Sequence, residues 1–196
     1  MTRAGQTPSQ TVGPFFAYGL VPQQYGYELS SVFGAGLARP DTPGLAIRLS
    51  GQIFDGNNDP IGDALIEIRQ ADSQGAYPAS PADVQANGFT GFGRCGTGTL
   101  PGKAYEFRTV KPGATADGQA PHIDVIVSMR GLLSHVFTRI YFSDEAPANA
   151  RDPVLQSVAP QRRKTLIAQR IDEAGGVTYR FDIRMQGDLE TVFFDV

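Results

Sequence analysis

The sequence predicts an all-β protein, more closely a β-sandwich with long loops and one short late helix. Two observations carry this prediction. Several short segments are apolar or alternate apolar with polar residues, the pattern expected of buried or half-buried strands. Between them the chain is rich in turn-forming residues, with 23 glycines and 14 prolines among 196 residues. This density of turn formers suits many short strands better than a helical bundle.

The predicted elements follow one another in a simple order. Strands are expected at 45–54, 63–72, 105–110, 122–129, 134–142, 177–186 and 190–196. The long segment 73–104 is rich in glycine, proline and alanine, and we expect it to be a functional or interface-forming loop. The best helix candidate is 160–171, because Pro160 suits a first helical turn and two isoleucines follow four residues apart.

Residues 1–45 differ in pattern from residues 46–196. The first segment shows little periodicity, yet it carries six aromatic residues, more than a disordered tail would hold. We therefore expect an irregular N-terminal arm that forms an interface, either with its own body or with another chain. The β-sandwich domain is placed at 46–196.

Composition argues against several classes of function. The net charge of −3, with 19% charged residues, gives no electrostatic case for binding nucleic acid or an anionic membrane. No apolar run approaches the roughly 20 residues that span a bilayer. The polar N-terminus does not resemble a signal peptide, and Cys95, the single cysteine, fits a reducing compartment. We expect a cytoplasmic protein.

One predicted strand carries side chains that could bind a metal. In 122–129 alternate side chains share a face, so His122 and Asp124 lie on one side and the apolar residues between them face the core. With His135 on the next strand they would form the two-histidine, one-carboxylate set of non-haem Fe(II) oxygenases. The alternative is that these are ordinary polar residues at a strand edge or an interface.

Arg130 lies at the tip that joins two predicted strands. It is either a solvated turn residue or a group that binds a carboxylate or a partner. A third interpretation of the whole chain is a non-enzymatic β-sandwich binding module, since the strand pattern alone would suit many of these.

Seven segments, taken in order, resemble the intradiol aromatic-ring-cleaving dioxygenase family, and within it the chain that binds no iron in members built from two kinds of chain. The segments are TPSQTVGPFF (7–16), GQIFDGNNDPIGDALIEIRQAD (51–72), GFGR (91–94), YEFRTVKPG (105–113), APHIDV (120–125), TRIYFSDE (138–145) and YRFDIRMQGDLETVFFDV (179–196).

The resemblance implies a specific activity and partner. Such enzymes are large hetero-oligomers of alpha and beta chains with a shared β-sandwich fold. The beta chain holds a non-haem Fe(III) through two tyrosines and two histidines. The reaction adds both atoms of O2 to protocatechuate and gives 3-carboxy-cis,cis-muconate, within the β-ketoadipate pathway.

Three of the four iron-ligand positions are changed in this sequence. His122 matches one histidine, but Asp124 stands at the second. Thr115 takes the place of one tyrosine, and Pro81 takes the place of the other, with Tyr77 the nearest tyrosine. Because Fe(III) is stabilised by phenolate donors, we expect this chain to bind no metal itself and to carry no catalytic residue.

The resemblance also implies that this chain helps to form the substrate pocket of its partner. In the family, the N-terminal segment of the alpha chain lines the pocket beside the beta-chain iron. The matching residues here are Thr11, Gly13, Pro14 and Phe15. The family's arginine at the pocket rim matches Arg130, whose guanidinium would favour the carboxylate of protocatechuate.

Overall fold

The computed structural model describes residue 5 and residues 7–195, and the regular secondary structure in them is mostly strand, with few and short helices. This confirms the all-β prediction. The strands are β1 Ala46–Phe54, β2 Leu65–Gln70, β3 Phe92–Gly96, β4 Ala104–Val110, β5 His122–Ser128, β6 Val136–Phe142, β7 Ile167–Glu173, β8 Gly176–Arg180 and β9 Ile183–Arg184. The α-helices are α1 Phe16–Leu20, α2 Pro81–Asn87, α3 Ala146–Asn149 and α4 Pro153–Ser157, with 3-10 turns at Pro22–Tyr25, Pro101–Lys103 and Arg163–Leu166.

The strands form one hydrogen-bonded series in the order β3-β2-β5-β6-β7-β8-β1-β4, and β9 pairs with β1. Most neighbours are antiparallel, whereas β6/β7, β1/β8 and β1/β9 are parallel. The two ends of the series, β3 and β4, contact each other. Alternate residues of β1 are buried, and they pack in a single apolar cluster with inward residues of β2, β4, β5, β6 and β8. Strands from both ends of the series therefore share one core.

The helix predicted at 160–171 is wrong. The chain makes a 3-10 turn at Arg163–Leu166 and then enters β7, which pairs with β8 in antiparallel fashion. The spacing of the two isoleucines was compatible with a helix, but the two-residue turn Ala174-Gly175 lets β7 and β8 pair as a hairpin. Tertiary pairing has overridden a weak local preference for helix.

Three further strand assignments differ from the prediction. The expected loop 73–104 contains α2 and β3, where Gly93 leaves room for Leu37: an added Cβ would lie 2.4 Å from the Leu37 side chain. Segment 177–186 is split into β8 and β9, because the side chain of Asp182 accepts a hydrogen bond from the Gln52 backbone N–H at 3.1 Å. Residues 190–195 form no strand, and Phe194 pairs with Phe137 in a single bridge; Val196 lies outside the described residues.

The N-terminal segment packs against the strands through specific contacts. The side chain of Gln24 donates to the Gly96 carbonyl at 2.7 Å and accepts from the Gly96 N–H at 2.8 Å. Leu37 is buried in the shared core. The first four residues and Gln6 lie outside the described part of the chain. None of the helices in that part has the length and hydrophobicity that a membrane span requires.

Candidate functional site

The polar residues of β5 are paired with β6 by the strand register. Asp124 lies opposite Arg139, and His122 lies opposite Tyr141. The Arg139 guanidinium donates from Nε to Asp124 Oδ1 at 2.8 Å and from Nη1 to the side chain of Gln119. His122 is buried, with Nδ1 2.7 Å from the Ala120 carbonyl and Nε2 4.0 Å from Asp124 Oδ1. The prediction that Ile123, Val125 and Val127 form the core face of this strand is confirmed.

Burial and charge determine the protonation of this cluster. Burial lowers the pKa of His122, and the nearby positive charge of Arg139 lowers it further. The imidazole is therefore neutral at pH 7. Burial alone would lower the pKa of Arg139, but the carboxylate of Asp124 outweighs it and the pKa is raised. Asp124 and Arg139 thus form a stable ion pair next to a neutral ring.

The residues at the changed ligand positions do not fit Fe(III). Asp124 already binds a guanidinium, whose positive charge opposes a metal cation at the same oxygens. The hydroxyl of Thr115 donates to Asp117, and Pro81, which begins α2, has no donor atom to offer. The pKa of Tyr77 is raised by burial and by the charge of Asp124, which favours the neutral phenol. Among the described residues, no group of three or more His, Cys, Asp or Glu side chains is arranged to hold a metal.

The proposed facial triad of His122, Asp124 and His135 is wrong. The register places Arg139 opposite Asp124, and His135 comes four residues earlier in the chain. Four residues of extended strand span about 13 Å. His135 lies just outside β6, is exposed, and packs its ring edge-on against Phe137 at 4.8 Å between centroids. It cannot share one metal ion with the other two residues.

The N-terminal segment and the β5–β6 tip come together at a second polar site. The Thr11 hydroxyl donates to the Met129 carbonyl at 3.4 Å and accepts from the Gly131 N–H at 3.0 Å. These two backbone groups lie on either side of Arg130 in the chain. Arg130 itself lies at the tip between β5 and β6, as predicted. The structure therefore brings together two of the predicted substrate-binding residues, Thr11 and Arg130.

The other three predicted pocket residues follow Thr11 on the surface. Gly13, Pro14 and Phe15 are exposed, and the Gly13 carbonyl accepts the Phe16 N–H at 3.1 Å in the turn that leads into α1. The Phe15 side chain is 72% exposed and meets Tyr18 edge-on. A cleft of about 340 Å³ lies close by in the sequence, lined by Ser9, Gln10, Val12 and Phe16 on one side and by residues of 128–135 on the other, but Thr11, Arg130 and the three residues named above are not part of its lining. Exposed aromatic rings such as that of Phe15 are typical of a surface that binds a partner or a ligand.

The sequence analysis did not identify two acidic residues that are important to these sites. Asp63 forms an ion pair with Arg130. Asp152 is fully buried; its side chain caps α4 by accepting from the Leu155 N–H, and it also accepts from the Tyr141 hydroxyl and the Ala120 N–H. An aspartate directly before a proline is a typical helix-start signal and could have indicated the second. No local pattern points to Asp63, because its partner lies 67 residues away.

The comparisons with known proteins agree with this architecture. A family model described as a dioxygenase, Dioxygenase_C, matches residues 34–187. The chain therefore belongs to the intradiol ring-cleavage dioxygenase family. It is 56% identical to the protocatechuate 3,4-dioxygenase alpha chain of Burkholderia cepacia, over 100% of both chains. It is 44% identical to the alpha chain of that enzyme from Pseudomonas putida, over 97% of this chain and 96% of the relative.

Other matches extend the likeness to a second chain type and to the fold. The chain is 31% identical to the protocatechuate 3,4-dioxygenase beta chain of Burkholderia cepacia, over 74% of this chain and 66% of that one. The dioxygenase domain of a carbohydrate-binding fusion from Streptomyces sp. SirexAA-E matches with a TM-score of 0.63 at 23% identity, covering 95% of this chain and 100% of that one. An intradiol ring-cleavage dioxygenase from Tetranychus urticae matches with a TM-score of 0.57 at 18% identity, covering 95% and 99%. These structures support the fold alone.

Proposed function

We propose that this chain is the non-iron-binding alpha subunit of a protocatechuate 3,4-dioxygenase, an enzyme of the β-ketoadipate pathway that converts protocatechuate and O2 to 3-carboxy-cis,cis-muconate. The full-length 56% identity to an alpha chain of that name carries the proposal. The geometry adds to it, because an internal ion pair stands where a metal would need the Asp124 carboxylate.

The partner would be a beta chain that holds the catalytic Fe(III), in a higher hetero-oligomer. The similarity of this chain to a named beta chain supports a common fold for the two chain types. The contact between β3 and β4, and the core that the strands share, support a β-sandwich at 46–196 as the closer description of the strand arrangement. The composition favours assembly in the cytoplasm.

Residues 1–45 would form the interface with that partner. Several large apolar side chains of the described part of this segment are exposed, among them Phe15, Tyr27, Leu29 and Val32. Exposed apolar side chains gathered in one segment are typical of an interaction surface, since burying them against another chain is favourable.

The substrate contacts would come from the Thr11 site and the residues that follow it. Arg130 would bind the carboxylate of protocatechuate, while Thr11, Gly13, Pro14 and Phe15 would line the pocket beside it. The partner's iron would supply the oxidation chemistry. This chain would bind and orient the aromatic acid and help to exclude water.

Co-expression with a beta chain tests the assembly. We expect a stable complex with one iron per alpha-beta pair, protocatechuate-dependent O2 uptake, and no stoichiometric iron in this chain purified alone. Ring cleavage and stoichiometric iron in the single chain would contradict the proposal. A stable monomer that ignores the beta chain would instead favour a binding module.

The Arg130→Ala variant tests the substrate role in the assembled enzyme. We expect the KM for protocatechuate to rise by about 10- to 150-fold, equivalent to the 1.5–3 kcal/mol of a hydrogen bond to a charged group. Arg108→Ala is a matched control, because Arg108 is an exposed arginine whose Nε also lies near a carboxylate, that of Glu106 at 3.3 Å. An unchanged KM in Arg130→Ala would refute the role of Arg130.

A further inference from the structure

We propose that Asp63 is a positioning residue for Arg130: it holds the guanidinium by Nε and leaves the Nη1 and Nη2 edge free for the carboxylate of the substrate. This inference rests on the proposed function, since it assigns a second residue to the same pocket rim.

The first observation is the geometry of the ion pair. Asp63 lies in the loop before β2, and Arg130 lies at the tip between β5 and β6. Arg130 Nε donates to Asp63 Oδ2, and within the described part of the chain this is the only hydrogen bond that the guanidinium makes. Four N–H donors on Nη1 and Nη2 are therefore available on the side of the group that binds carboxylates in a bidentate manner.

The second observation is that the backbone of Arg130 is held as well. Thr11 bonds the Met129 carbonyl and the Gly131 N–H, which lie on either side of Arg130. Gly131 has a φ of 92°, in the region that favours glycine, so the tip turns sharply just after the arginine. The main chain and the guanidinium are thus fixed from two independent directions.

The third observation concerns exposure. The Arg130 side chain is 61% exposed and that of Asp63 is 21% exposed. An ion pair with so exposed an arginine contributes little to the stability of a fold, because water screens the charges and the long side chain loses conformational freedom. Restricting that freedom before a ligand arrives does favour binding, since the ordering cost no longer falls on the binding step.

Enzyme kinetics on the assembled complex test the inference. We expect Asp63→Ala to raise the KM for protocatechuate by about 3- to 10-fold with kcat unchanged, which is the cost of ordering one long side chain. Asp63→Asn keeps a side-chain carbonyl at the same position and should restore most of the loss. The inhibition constant of catechol, which has both hydroxyls but no carboxylate, should be the same in all variants.

A double variant separates this inference from the proposed function. In the Arg130→Ala background, Asp63→Ala should have no further effect on KM, because the group that it positions is gone. If Arg130→Ala raises KM and Asp63→Ala does not, or if Asp63→Ala acts equally without Arg130, the positioning role is overturned while the function stands. If neither variant changes KM, the substrate role of Arg130 fails and the positioning role of Asp63 fails with it; if no active complex forms, the proposed function itself fails.

Discussion

Two arginine–aspartate pairs, built from the same residue types, lie in different environments in this chain. Arg139 and Asp124 sit on neighbouring strands, with side chains 17% and 34% exposed, and Arg139 uses both Nε and Nη1 for internal partners. Arg130 and Asp63 sit on loops, and Arg130 uses Nε alone among the described residues. In the first pair, two nitrogens of the arginine have hydrogen-bond partners within the chain. In the second pair only Nε has such a partner among the described residues, so Nη1 and Nη2 remain available.

This difference shows that hydrogen-bond donors without an internal partner are a better indicator of a binding site than a sequence motif is. The pattern His122-x-Asp124 attracts attention in the sequence, but the structure satisfies both side chains internally. The tip around Thr11 and Arg130 has no motif of its own, yet Arg130 carries Nη1 and Nη2 donors for which no described residue is an acceptor. We propose ligand binding at the second arrangement, because a ligand needs donors that folding has not already used.

The largest expected effect is a loss of stability on replacing Asp152, which bonds residues next to the cluster of His122, Asp124 and Arg139. We call this cluster the closed site. Asp152 is fully buried and accepts from the Tyr141 hydroxyl at 2.8 Å and from the Ala120 N–H at 2.9 Å, and both of these residues adjoin His122. We expect Asp152→Ala to lower the free energy of unfolding by about 3–5 kcal/mol, since it leaves several buried donors without an acceptor. Urea unfolding followed by circular dichroism would measure this.

The surface aspartate Asp172, which pairs with Arg170 at 2.8 Å, provides the matched control for that variant. Asp172→Ala should leave the free energy of unfolding nearly unchanged, because water screens an ion pair this exposed. A loss below 1 kcal/mol in Asp152→Ala would show that the closed site does not depend on this carboxylate.

The two arginines themselves give the second prediction. Arg139→Ala should lower the free energy of unfolding by about 1–3 kcal/mol, because it leaves the Asp124 carboxylate without its partner on a half-buried strand face. Arg130→Ala should stay within about 0.5 kcal/mol of the parent chain. The same urea measurements on both variants would check this, and equal losses would show that the closed and open pairs do not differ.

Strand pattern and turn residues were sufficient to predict most of the fold. The core face of β5 follows from alternation alone, and Ile123, Val125 and Val127 are buried as expected. Failures occurred where a distant contact decides the local structure. Gly93 belongs to a strand because Leu37 packs against its backbone, and residues 167–171 are extended because β6 pairs with the first two of them and β8 with the rest.

The candidate sites divide in the same way. Arg130 could be placed at a tip because the two strands around it are periodic. The residues adjacent to Asp124 in the sequence could not show whether it binds a metal ion or the guanidinium of an arginine. The residue that decides this, Arg139, lies 15 positions away. No local sequence pattern indicated that Asp63 would pair with Arg130. The register of paired strands, which sets such contacts, depends on the packing of the whole sheet.

The third prediction concerns pH and the closed site. The folded-state pKa of His122 lies below its ordinary value of 6.5, so the unfolded chain takes up a proton first as the pH falls. The stability that His122 contributes is therefore complete above pH 6.5 and decreases as the pH falls toward the folded pKa, by at most about 1.4 kcal/mol per pH unit. His122→Asn should remove this part of the pH dependence in urea unfolding between pH 7.5 and 5.5. An identical pH dependence in parent and variant would mean that the ring does not titrate as its burial requires.

The smallest effect is expected on replacing the Thr11 hydroxyl. This hydroxyl bonds the backbone on both sides of Arg130, in the site formed by Thr11, Arg130 and Asp63. Thr11→Val keeps the shape of the side chain but removes both hydrogen bonds to the backbone around Arg130. We expect the KM of the assembled enzyme for protocatechuate to rise by about 2- to 10-fold, the equivalent of one net hydrogen bond, with stability nearly unchanged because Thr11 is exposed. Thr11→Ser retains the hydroxyl and should behave as the parent. If Thr11→Val and Thr11→Ser have the same KM, the tip is held by its own turn, and the N-terminal segment would contribute surface to the pocket without ordering Arg130.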